Sequence, residues 1–168
     1  MTLGELLVDA FNRIREGAVS AVSGLSPEQL AERPTSNANS IGWLVWHLSR
    51  VQDDHIAEVA DREQVWTSEG WHARFALPFD ADDTGYGHSS EQVAQVCGLD
   101  AEQLVGYLEA VHAATVEYVR PLTPDDLGKV VDERWDPPVT LGVRLVSVVN
   151  DDQQHVGQAA FIRGLLNA

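Results

Sequence analysis

Apolar residues recur at three- and four-residue steps in four separate stretches, and each stretch has the period of an amphipathic helix. The first covers about residues 3–24, with Leu3, Leu7, Phe11, Ile14, Ala18 and Val22 along one face, behind a Thr2/Glu5 pair at capping-box spacing. The second covers about 41–60, where Leu44, Leu48, Val51 and His55 make the face, flanked by His47 and Asp54. The third, about 101–120, starts behind Asp100 and carries Leu104, Leu108, Val111, Thr115 and Val119. The fourth, about 140–166, carries Leu141, Leu145, Val148, His155, Ala159, Ile162 and Leu166. Four helices of this length, with little strand signal, predict an all-α four-helix bundle in one domain spanning 1–168.

The segments between them are uneven. Ser26-Pro27-Glu28-Gln29 opens a short helix, with Ser as N-cap and Pro at the first helical position, and 34–40 reads as a loop. The connections between helices 2 and 3 and between 3 and 4 are long, which predicts that at least one crosses the bundle. Residues 61–98 carry Trp66, Trp71, His72, Phe75, Phe79, Tyr86 and His88 among Gly and Asp, without a period, before a short helix over 89–96. A long aromatic-rich connection either walls a site or covers the core. Thr123 to Asp126 restarts a short helix, and two prolines keep 132–139 a loop.

Charge narrows the function classes. Acids outnumber bases 26 to 11, a net charge of −15, and Lys129 is the only lysine. Such a surface repels phosphate backbones and anionic membranes, so neither nucleic acid nor a membrane is an expected partner. No apolar run is long enough to span a bilayer, and the first residues lack the basic and apolar regions of a signal peptide, so the expected location is cytoplasmic. The single cysteine, Cys97, reads as a small buried residue rather than a nucleophile.

The chemistry rests on polar residues within the apolar stripes. Asp151 and His155 are four residues apart, one turn along a helix face, the spacing at which two side chains share one ion or simply pair with each other. An inward carboxylate needs a compensating partner. His47 flanks an inner face of the second helix, and two imidazoles with one carboxylate make a three-ligand site of catalytic type, with open positions. Asp152 competes with Asp151, and periodicity leaves the choice open. His55 lies about 12 Å along the helix from His47, too far to share an ion. Arg50, one turn beyond His47, is a candidate partner for a substrate carboxylate, and Trp71 and His88 are candidate substrate contacts. His112 reads as a surface residue.

GWLVWHL around His47 and the run from Asp151 to Gln158, with its H-x-G-Q, resemble the DinB/YfiT-like superfamily, which is related to the N-terminal domain of mycothiol-dependent maleylpyruvate isomerase. The resemblance spans the chain. It implies a four-helix bundle, in many members a homodimer, with a divalent metal held by three side chains near one end. It aligns His47 and His155 with the first and last ligands, and it favours Asp151 over Asp152 at a position where most members have His. The implied activity is a metal-dependent transferase or isomerase using a low-molecular-weight thiol of the mycothiol or bacillithiol type. Zinc suits the donor set, and nickel or iron also fits it. A hydrolase using the same site, non-haem iron chemistry and a small-molecule-binding bundle without metal are the rival readings.

Overall fold

A computed structural model describes residues 1–166. Four long helices dominate it: α1 (Leu3–Val22), α3 (Ile41–Val59), α7 (Ala101–Val119) and α8 (Leu141–Leu166). Short helices lie between them: α2 (Pro27–Ala31), α4 (Val65–Ser68), α5 (Trp71–Phe75) and α6 (Ser90–Gln95). Capping boxes open α1, α2, α6 and α7, with Thr2, Ser26, Ser89 and Asp100 as caps. Each satisfies amides that a helix start leaves free.

The long helices form a four-membered ring. α3 packs on α7 and α8, and α1 packs on the same two, so α1 lies diagonally from α3 and α7 from α8. Both diagonal steps require a connection across an end of the bundle. The core follows the predicted stripes, from Phe11 and Ile14 through Leu44 and Leu48 to Leu104, Leu108, Leu145 and Val148.

Three features differ from the sequence expectation. α3 is buried all round from Ile41 to Arg50, not on one stripe, because the 61–98 segment folds over its outer side. That segment contains α4 and α5, too short to register as a period. The proline-containing stretch is the tip of a small antiparallel hairpin, β1 (Val130–Asp132) with β2 (Val139–Thr140), pairing Val130 with Thr140 and Asp132 with Val139. Cys97 is exposed, not buried, since the chain leaves α6 there and turns at Gly98. Among the described residues, no helix is long and apolar enough to cross a membrane.

Candidate metal centre

α3 and α8 bring His47, Asp151 and His155 together: one potential ligand atom from each lies within 4.8 Å of the other two. His47 comes from the middle of α3, and the other two from successive turns of α8. The buried stripe of α8 runs through Leu145, Val148, Asp152 and Ala159. Asp151 and His155 flank that stripe on the side towards His47.

Both imidazoles are already oriented. His47 Nδ1 lies 2.6 Å from the carbonyl oxygen of Thr84, and His155 Nδ1 lies 2.8 Å from the carbonyl oxygen of Asp151. A carbonyl only accepts, so each Nδ1 carries its proton and donates it, and each Nε2 keeps a free lone pair. This is the outer-shell arrangement that fixes a metal-binding histidine. The Trp43 ring stacks on the His47 ring at 4.5 Å with an interplanar angle of 17°, and the His155 ring meets His47 edge-on at 4.7 Å.

The donor chemistry fits a divalent cation. Burial, above all, pushes the His47 pKa down, helped by repulsion from His155 and His88 and opposed by the Thr84 carbonyl and Asp151. The neutral form that results is the one that binds metals. Asp151 Oδ2 is buried with no hydrogen-bond partner among the described residues, and His155 Nδ1 is 3.4 Å from it. A cation would compensate that oxygen. Tetrahedral ligands at about 2.0–2.2 Å from one ion lie about 3.3–3.6 Å apart, so side-chain rotations of about 1 Å close the set.

His47 and Asp151 of the triad line a cleft of about 370 Å³. Val51 and Val148 form apolar walls, and Asp54, His55, Thr84, Tyr86 and Ser147 complete the lining. Tyr86 is 91% exposed and stands at the rim between Gly85 and Gly87, both with positive φ. A Cβ at Gly85 would sit 2.8 Å from the Trp46 ring and 3.0 Å from His47 Nδ1. Only glycine lets the loop come close enough for the Thr84 carbonyl to reach His47.

The remaining sequence candidates sit elsewhere. Arg50 is fully buried and does not face the cleft. It donates to the carbonyls of Asp83 and Ala81, to Gln64 and to Tyr107, so it fastens the Thr84 loop from behind. His88 is part of the same support: its Nδ1 accepts from Trp43 Nε1 at 3.2 Å, and its Nε2 donates to Asp83 at 3.0 Å. Trp71 packs on the far side, with its ring 2.7 Å from where a Cβ on Gly106 would lie and the Arg74 guanidinium 4.5 Å over it. His55 does line the cleft. Burial first, then the charge of Arg144, lower its pKa. His112 is half-buried against Asn12. Asp152 points into the core, fully buried, and neither carboxylate oxygen has a partner among the described residues. Burial and then the charge of Asp151 raise its pKa well above the usual carboxylate range.

Sequence reasoning missed Thr84, which acts through its main chain and leaves no side-chain signal. It also missed Trp43 as the stacking partner. The one cue was a Gly-Tyr-Gly in DTGYGHS, whose paired glycines mark unusual backbone.

A family model described as mycothiol-S-transferase matches residues 6–168. The crystal structure of a conserved protein from Enterococcus faecalis is 31% identical and superposes with a TM-score of 0.89, over 97% of this chain and 96% of that one. No curated protein matches the chain.

Proposed function

The chain belongs to the mycothiol-S-transferase family, and on that premise we propose that it is a divalent-metal-dependent enzyme that transfers a low-molecular-weight thiol to an electrophilic small molecule. The observation that carries this reading is the convergence of His47, Asp151 and His155, with both Nδ1 atoms committed to carbonyls.

His47 and His155 offer Nε2, and Asp151 offers its unpartnered carboxylate oxygen. A divalent ion held by these three side chains, zinc by preference for this donor set, would supply Lewis acidity that favours the thiolate form of a substrate thiol. Thr84 and Trp43 hold the His47 ring so that little ordering remains when the site fills. Val51 and Val148 exclude water from one wall, and Tyr86 covers the rim, which positions an electrophile beside the sulfur. The strongly acidic composition suits a small-molecule substrate better than a nucleic acid or an anionic membrane.

The test is thiol consumption by the zinc-loaded full chain, with mycothiol and monochlorobimane. Acceleration that is abolished by a chelator and by His155→Ala supports the reading. Turnover that is independent of thiol, or no acceleration with metal bound, contradicts it.

A further inference from the structure

Arg62 follows the end of α3, and its amide donates to the Ala57 carbonyl at 3.1 Å. Its side chain is half-buried, and Nη2 is buried with no hydrogen-bond partner among the described residues. That sets it apart in a chain with 26 acids and 11 bases. The neighbouring arginines are fully engaged: Arg134 and Arg144 share Asp132 and Glu58. Arg50 is spent on the loop carbonyls, Gln64 and Tyr107.

The position of Arg62 gives the unpaired charge a use. It lines a groove of about 400 Å³ with Asp54, His55, Glu58, Gln64 and Arg134. Asp54 and His55 also line the metal cleft, so the groove continues directly from it. Arg134 and Arg144 together balance Asp132 and Glu58, and Asp54 accepts from Gln64 Nε2 at 2.7 Å. Of the basic groups lining the groove, the Arg62 guanidinium is the one in no ion pair among the described residues. A partly desolvated guanidinium gains most from a planar anion that takes two parallel hydrogen bonds.

We propose that Arg62 binds a carboxylate at the far end of a substrate whose reactive end lies in the His47–Asp151–His155 cleft. From His47 to Ala57 the helix rises about 15 Å, so the groove suits an extended carboxylate, not a two-carbon acid. The carboxylate belongs either to the electrophile or to the thiol. Only the choice between these two rests on the thiol-transfer reading. The anion site itself does not.

The first measurement is binding, free of any turnover: NMR titration of the zinc-loaded full chain with 4-methylbenzoate and with 4-methylbenzamide. Saturable binding of the acid is expected, with at least a tenfold loss in Arg62→Gln, a smaller loss in Arg62→Lys, and no comparable binding of the amide. Metal-bound carboxylate would be indifferent to Arg62, so the variant separates the two. An unchanged affinity in Arg62→Gln, equal binding of the amide, or no saturable binding by wild type overturns the proposal. Because Arg62 Nη2 has no partner to lose, Arg62→Gln should melt within a degree or two of wild type.

The second measurement identifies the carrier. In one arm, 4-(bromomethyl)benzoate and its amide are compared with one neutral thiol. The sulfur forms the C–S bond, the C–Br bond breaks, bromide leaves with the electron pair, and the thiol proton passes to buffer. In the other arm, 8-mercaptooctanoate and its amide are compared with the neutral electrophile. A KM at least fivefold lower for the acid, lost in Arg62→Gln, assigns the carboxylate to whichever molecule shows it. Thiol transfer without any charge preference overturns this proposal and leaves the activity standing. Arg62-dependent benzoate binding without thiol transfer does the reverse.

Discussion

The carbonyl oxygen of Thr84 accepts the Nδ1 proton of His47 at 2.6 Å, and this one hydrogen bond sets which nitrogen the α3 histidine presents to the cleft. The contact depends on Gly85, whose φ of 88° and lack of a Cβ bring the loop against His47. Gly85→Ala introduces left-handed strain of about 1–3 kcal/mol and a side-chain collision, so the loop must retreat. Zinc affinity is expected to fall about 10–100-fold while the helical circular dichroism signal persists, as is usual when an outer-shell partner is lost. Competition titration with a chromophoric chelator measures it. Unchanged affinity would mean that the loop does not position the ligand.

Arg50 is the interior counterpart of that loop contact. It is buried at 0% exposure and lies 4.0 Å from the buried carboxylate of Asp53, which itself accepts from the amides of Val65 and Trp66 and from the Tyr107 hydroxyl. Arg50→Met leaves Asp53 without its counter-charge and two loop carbonyls without their donor. The expected cost is about 3–5 kcal/mol, the range for breaking one side of a buried pair. Urea denaturation at constant m-value checks this. A variant as stable as wild type would return Arg50 to the list of substrate contacts.

Trp71 contributes to the same packing layer and not to the cleft. Trp71→Ala should lower stability by about 1–3 kcal/mol through lost burial against Gly106 and Phe75. KM for thiol and electrophile should stay within twofold. A tenfold KM change at unchanged metal content would move Trp71 into the substrate site.

The hairpin is clamped to the bundle through Asp132. Hydrogen bonds from the Arg134 side chain, then from its amide, and the charges of Arg134 and Arg144 hold the Asp132 pKa below the usual carboxylate range, against the effect of burial. A carboxylate with a depressed folded-state pKa contributes stability above its unfolded value, near 3.9, and loses it as pH falls towards the folded value. The Tm gap between wild type and Asp132→Asn should therefore be largest at pH 6–7 and close progressively below about pH 4. A gap that grows on acidification would contradict the assignment.

How legible the molecule was depends on which interaction carried the information. The long helices were readable because Leu44, Leu48, Leu145 and Val148 keep a 3.6-residue period, and Thr2 and Asp100 mark the starts of α1 and α7. The second helix misled, because α4, α5 and the loop cover its outer side and bury what the period assigned to solvent. The hairpin was hidden by strands of two and three residues. The Asp151–His155 pair stood out through its one-turn spacing, whereas Thr84 acts through a carbonyl that every residue has. Arg50 and Arg62 look alike in sequence. What separates them is the acceptors around Arg50, which come from residues 14 to 57 positions away, and no local pattern encodes those.

The central claim is that His47, Asp151 and His155 hold one divalent ion. Elemental analysis of the purified chain, reconstituted with zinc and desalted, tests it most directly when run beside His47→Ala, Asp151→Ala and His155→Ala. The expected result is one ion per chain in wild type and less than a tenth of that in each folded variant. A wild-type chain that retains no stoichiometric metal, or variants that retain it fully, would contradict the account.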